Sequence, residues 1–270
     1  CRLAGQSVRV GLKGAVRCGK TGAASTGTSE ASEGRSNPLD RSARGLSRCS
    51  RLPIPSSRFL DRHLIAETHT FSRRPRLLMS QPSRERLVAL RREFHRRPEP
   101  AWREFWTTAR IVDEIESMDV DEVLVGPEVL AEDERIAVPD DEELRRWYRQ
   151  AEEAGANPET LERLRGGYTG AMATVEGDDG PTVALRVDID GLPRAESTDE
   201  DHVPVREGFR SEHEGAMHAC GHDAHATIGL GVLESVADGD FDGTLKVLFQ
   251  PAEESIGGGQ PMAESGLLDD

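Results

Sequence analysis

Lysine is almost missing from this sequence. Its 270 residues include 34 Lys+Arg, yet only Lys13, Lys20 and Lys246 are lysines. Aromatic residues amount to 4%. Of four cysteines, Cys1, Cys18 and Cys49 lie near the start and Cys220 stands alone in the remainder, which excludes a disulfide framework there. No apolar run approaches the ~20 residues of a membrane-spanning helix, so no membrane partner is expected. No methionine precedes Met79.

Charge is divided as unevenly as lysine. Residues 1–78 carry 15 Lys+Arg against 5 Asp+Glu, whereas residues 79–270 carry 19 against 44. Two segments so different rarely share one fold. Residues 1–78 are rich in Arg, Ser and Gly and show no sustained helical or strand period. They are expected to add no fold, either as upstream sequence that is not native protein or as a leader or disordered tail. The acidic, Arg-using remainder suits concentrated salt, where screening removes self-repulsion. A halophile's cytoplasmic protein is therefore expected. The same surface repels phosphates and argues against a nucleic-acid partner.

Periodicity begins near Ser83. Leu87, Leu90 and Phe94 predict one helix, and Phe105, Ala109, Val112 and Ile115 a second. Residues 120–138 predict a loop with a short strand. Leu144, Trp147, Tyr148 and Ala151 predict a third helix behind the acidic run from Asp140, and Asn157-Pro158 opens a short fourth. A strand from Ala171 to Glu176 is expected to turn at residues 177–180 and pair with a returning strand, Thr182 to Asp188. The run Val183-Ala184-Leu185 predicts cover on both faces. Ile228, Val232 and Val236 predict a helix over 224–236, and Thr244 to Gln250 a second buried strand. The glycines at 257–259 predict a loop, with another helix starting at Met262. The fold class expected is α/β, a mixed and largely parallel sheet with helices on both faces.

The chemistry concentrates in Met217–His225, which holds three imidazoles, one thiol and one carboxylate. Cys220 and His222 are good zinc ligands, and carboxylates complete such sites or hold a second ion. Glu253-Glu254 follow the second buried strand. A carboxylate bound to a cation is a poor base, so one Glu can ligate while its neighbour takes a proton. Asp188 and Asp190 follow a strand end where open α/β sheets place their binding crevice. They are read as orienting a ligand His, or as turn and cap residues. His218, Asp223 and His225 stand either behind the ligands or toward a substrate. His95 is read as structural or surface, and His202 and His213 as loop residues. A redox role for Cys220 lacks a resolving cysteine.

These motifs carry a resemblance. MHACGHDAHA (217–226), LRVDIDGLP (185–193) and QPAEE (250–254) resemble the metal-dependent amidohydrolases that include aminoacylases, carboxypeptidases and hippurate hydrolases. REFHRRPEPAWREF (92–105), EDERIAVPDDEEL (132–144), GGYTG (166–170) and HVPVREGF (202–209) are similar to the p-aminobenzoyl-glutamate hydrolase branch of that family. The resemblance implies a zinc-exopeptidase-like catalytic domain, of which residues 79–270 are the N-terminal part. It implies two divalent cations, manganese or zinc, with Cys220, His222 and Glu254 as ligands and Glu253 as general base. The implied reaction is hydrolysis of an N-acyl or N-aroyl amino acid, a small-molecule substrate. It also implies two further ligand histidines and an α+β lid used for dimerisation, which this sequence does not contain. The expected parent is a homodimer or a heteromer with a related subunit. The other expectation is that the 270-residue chain is an inactive metal-binding or subunit-pairing fragment.

Overall fold

The computed structural model describes residues 82–239 and 241–268; the expectation for residues 1–78 lies outside the described residues. Helix α1 (Arg84–Arg96) begins where the Ser83 side chain accepts the Arg86 N–H, and it buries Leu90, Phe94 and His95. Helix α2 (Phe105–Ile115) buries the whole predicted stripe. Strand β1 (Glu122–Val125) precedes α3 (Asp141–Glu153) and α4 (Pro158–Arg163). Asp140 and Asn157 cap these two helices through their side chains, the second with proline at its start. Strands β2 (Ala171–Glu176) and β3 (Thr182–Asp188) follow, then α5 (Val203–Arg206), α6 (His222–Ala237), β4 (Thr244–Gln250) and α7 (Gly259–Ala263).

The strands form one mixed sheet in the order β1-β2-β4-β3. β1 and β2 pair antiparallel, as do β2 and β4, while β3 and β4 run parallel with Asp188 opposite Gln250. The sheet is mixed as expected, but its parallel share within the described residues is this one pairing. The expected β2–β3 hairpin does not form, because β4 lies between its two strands. The reason is apolar content. Leu245, Val247, Leu248 and Phe249 are all buried, each worth about 1.5–3 kcal/mol on transfer from water, so β4 takes the centre. β3 is the edge of the described sheet, and Val183 is 46% exposed rather than covered on both faces.

Alternation along the strands divides the core. Ala171, Ala173, Val175, Val187, Leu245, Val247 and Phe249 face α1, α2 and α6, while Met172 and Leu248 face Trp102, Leu130, Met262 and Leu267. Helix α6 lies where expected, but its buried stripe is Ala226, Leu230 and Leu233; Ile228 is 54% exposed. Gly229 decides the difference. A Cβ there would come within 2.9 Å of both Phe249 Cε1 and Val187 Cγ2, so this glycine face is the one that can lie on the sheet. Helix α5 was not expected, and α7 starts at Gly259, earlier than the predicted Met262.

Candidate metal centre

Parallel pairing puts the C-terminal ends of β3 and β4 side by side. Just past them come Asp190 and the pair Glu253-Glu254. The N-terminus of α6 supplies Cys220 and His222 from the other side of Gly221, whose φ of 87° reverses the chain between them. Segments far apart in sequence thus converge on one sheet edge, the place where such sheets bind ligands.

His222 is the hub. It is buried, and its Nδ1–H donates to the Asp190 carbonyl oxygen at 2.9 Å and to Asp190 Oδ1 at 3.1 Å. Both partners are acceptors, which fixes the proton on Nδ1 and leaves Nε2 as the atom available to a cation. Nε2 lies 3.8 Å from Glu253 Oε2 and 4.0 Å from Glu254 Oε1. Two ligand atoms on one tetrahedral ion, each at about 2.1 Å, are separated by roughly 3.4 Å, so this donor set fits a divalent cation with small adjustments. The donor atoms of His222, Glu253 and Glu254 all lie within 4.8 Å of one another. Asp188, His222 and His225 form an adjoining group with the same spread. His225 is half-exposed, stacks on His222 with ring centroids 5.4 Å apart, and has Nδ1 3.6 Å from Asp188 Oδ2.

Cys220 is exposed and hydrogen-bonded to Glu254, which pushes its thiol up to about 11, with its modest burial and the charges of Glu254, Glu253 and Asp190 acting the same way. A thiolate among these carboxylates is unfavourable without a compensating cation. That weighs against Cys220 as a free nucleophile or redox thiol. His222 shows the complementary effect: burial works to lower its pKa, but the Asp190 hydrogen bonds and the charges of Asp190 and Asp188 outweigh it and raise it to about 9.

Asp190 also holds the neighbouring segment, since its Oδ2 accepts the Glu254 N–H at 2.9 Å. It is the aspartate that orients His222, whereas Asp188 pairs with Arg186 and faces His225. Asp223 and His218 lie behind this group. Asp223 Oδ2 receives Arg91 Nε at 2.7 Å and His95 Nδ1 at 2.7 Å. His95 Nε2 meets Glu196 Oε1 at 3.0 Å, and Glu196 also takes His202 Nε2 at 2.7 Å and the Ser211 N–H at 2.6 Å. Burial works to lower His95, but the two carboxylates win and its pKa rises; burial works to raise Asp223 and Glu196, but their partners win and theirs fall. His218 is buried with neither ring nitrogen hydrogen-bonded, and burial lowers it to about 4. His213 Nδ1 bonds to the Pro98 carbonyl, away from the cluster.

Three buried carboxylates escaped the sequence reading. Glu99 accepts the N–H groups of Trp106 and Thr107 at 3.0 and 2.7 Å, serving as the side-chain cap of α2. Glu104 accepts the Ala252 N–H at 2.8 Å and the Thr169 hydroxyl at 2.7 Å. Glu196 anchors the array just described. Each sits in a sequence crowded with acids, so residue type gave no signal. The apolar neighbours Ala101, Trp102 and Phe105 were the one hint that Glu104 is enclosed.

Residues 184–270 match the model of Peptidase family M20/M25/M40. A p-aminobenzoyl-glutamate hydrolase homolog of Haemophilus influenzae is 44% identical over 191 residues, which are 68% of this chain and 44% of that protein. The indole-3-acetyl-aspartic acid hydrolase of Enterobacter agglomerans is 41% identical over 184 residues, 67% of this chain and 42% of that one. Among solved structures, the aminobenzoyl-glutamate utilization protein from Klebsiella pneumoniae superposes with a TM-score of 0.55 at 34% identity, covering 69% of this chain and 41% of the other. The chain spans less than half the length of these relatives. Among the described residues no helix is long and apolar enough to cross a membrane.

Proposed function

The chain belongs to peptidase family M20/M25/M40, and from that premise we propose that the full-length protein hydrolyses the amide bond of N-acyl or N-aroyl amino acids with the help of divalent cations. The convergence of His222 Nε2, Glu253 and Glu254 within 4.8 Å, beside Cys220, carries this reading. Cys220, His222 and Glu254 would hold the cations, manganese or zinc. Such ions supply Lewis acidity and bring the pKa of water toward neutrality.

The chain's own residues do the rest. Glu253 has the more exposed carboxylate of the pair, 42% against 19%. It therefore faces solvent and can take a proton from the attacking water while Glu254 is engaged. The same carboxyl returns that proton to the leaving amine, so the nitrogen departs as a neutral amine. Asp190 keeps the His222 tautomer fixed and the Glu254 backbone in place throughout.

The named substrates of two relatives, p-aminobenzoyl-glutamate and indole-3-acetyl-aspartate, each join an aromatic acid to an acidic amino acid. They support an aromatic acyl group and an acidic leaving amino acid here. The first of these relatives is named as one subunit of its hydrolase, which supports a second, related subunit for this protein.

The test is to express the coding sequence from Met79 to its natural stop and assay a panel of N-acyl amino acids with manganese and with zinc. Glu253→Gln should abolish turnover, by about 100-fold or more, while metal content by atomic absorption stays unchanged. Retained turnover would refute the base assignment.

A further inference from the structure

The segment that carries Glu253 and Glu254 is an awkward piece of backbone. Ala252 adopts φ 54°, a left-handed conformation unfavourable for a residue with a Cβ, and it is fully buried. Ile256 repeats the conformation at φ 58°. The turn is closed by the Ile256 N–H on the Glu253 carbonyl at 2.8 Å and the Gly257 N–H on the Ala252 carbonyl at 2.9 Å. Gly258 passes so close to Pro251 that a Cβ would lie 1.8 Å from its carbonyl oxygen. A strained residue persists only where its surroundings over-determine it.

The surrounding group at Ala252 is Glu104. It comes from the start of α2, 148 positions earlier, and is 0% exposed. One oxygen takes the Ala252 N–H at 2.8 Å; the other takes the hydroxyl of Thr169, itself fully buried, at 2.7 Å. The next anchored amide along the segment is that of Glu254, held by Asp190. Between these two carboxylates lies Glu253.

We propose that Glu104 is a positioning residue for the Glu253-Glu254 pair, holding the left-handed Ala252 so that the two carboxylates stay at 3.8 and 4.0 Å from His222 Nε2. It touches neither substrate nor reacting atoms and acts through the backbone of Ala252. Its role requires an acceptor oxygen at this place rather than a negative charge. Glutamine should therefore serve and alanine should not. The inference rests on the cation-binding reading above, and metal binding can be measured independently of hydrolysis.

The experiment uses the full-length protein, with Mn2+ binding by isothermal titration calorimetry and kcat and KM measured separately. In Glu104→Ala, Mn2+ affinity and kcat should each fall about tenfold or more, with KM little changed. In Glu104→Gln both should stay within about threefold of the parent, as expected when the amide oxygen keeps a neutral hydrogen bond to Ala252. Thr169→Val is the second variant, for use if the alanine variant does not fold. It removes only the hydroxyl that fixes the other oxygen, and should reproduce the loss in milder form. Unchanged Mn2+ affinity and kcat in Glu104→Ala, or in Thr169→Val, would overturn the proposal. A Glu104→Gln defect as deep as that of alanine would overturn it too, because charge rather than grip would then be needed. Failure of the parent protein to bind Mn2+ at all would instead sink the cation-binding reading.

Discussion

Replacing Asp190 should weaken metal binding by an amount that depends on pH, and the direction of that dependence follows from the structure. Its Oδ1 accepts from His222 Nδ1 and its Oδ2 from the Glu254 N–H. Asp190→Ala removes both contacts, leaving a partly buried amide without this partner, at a cost of about 1 kcal/mol in folding stability. Losing the group that orients a ligand imidazole weakens metal binding about 10–100-fold. A second effect opposes the first. Burial works to lower His222, but Asp190, with a smaller contribution from Asp188, lifts it to about 9. At pH 7, two units below that value, a cation must displace a proton from His222, a penalty of about a hundredfold in apparent affinity. Without the Asp190 carboxylate the imidazole pKa falls, held up only by the backbone carbonyl at position 190 and the charge of Asp188, and that penalty shrinks. The two effects oppose each other, so the variant's deficit in Mn2+ affinity should be smallest near neutrality. The variant should fall progressively behind as pH rises toward 9. Calorimetric titrations at several pH values between about 6.5 and 9 would show this. A parent-to-variant affinity ratio that stayed flat, or shrank with rising pH, would refute the reasoning. Asp190→Asn keeps the volume and separates the lost charge from the lost packing.

Three further outcomes can be checked by unfolding measurements. The raised pKa of His95 means that its ion pairs with Asp223 and Glu196 stabilise the fold fully below the unfolded value of about 6.5 and lose that contribution as pH rises through the folded value; the difference in urea midpoint between the parent and His95→Gln should narrow from pH 6 to pH 9, and a widening gap would contradict it. Gly229→Val should destabilise by about 1–3 kcal/mol through overpacking against Phe249 and Val187, seen as a lower thermal midpoint; an unchanged midpoint would mean that α6 does not rest on the sheet there. The surplus of 44 acidic over 19 basic residues after Met79 should make stability rise with KCl well beyond the concentration that screens ordinary surface charge, about 0.15 M; a midpoint insensitive to salt would count against a salt-adapted surface.

The elements were largely legible in the sequence, because amphipathic stripes such as Phe105–Ile115 and caps such as Asp140 and Asn157 are local signals. Their arrangement was less so. A turn after β2 suggests a hairpin with β3, and nothing within residues 171–188 announces that β4 will separate them. That outcome is a competition between strands, won by the burial of Leu245 through Phe249. In the same way the spacing of Ile228, Val232 and Val236 is a sound helical stripe, overruled by the closer approach that Gly229 allows. At the site, Cys220, His222 and the glutamate pair were readable because rare residue types cluster there. The division of labour between Asp188 and Asp190 was not, since only geometry decides which carboxylate reaches His222. Glu99, Glu104 and Glu196 were hidden among 49 acidic residues. Burial, invisible in a single sequence, is what distinguishes them.

The parallel pairing of β3 with β4 also sets the order in which this centre can come into being. The two strands are separated by residues 189–243, so their ends meet only after a long loop closes and β4 has left the ribosome. Cys220 and helix α6, which begins at His222, are synthesised first and cannot assemble the donor set alone. On the proposed cation-binding reading, capture of a cation would therefore be a late event, tied to the arrival of the central strand. Metal uptake by a nascent chain would report completion of the sheet, and intermediates lacking β4 would be spared premature loading with whichever ion is most abundant.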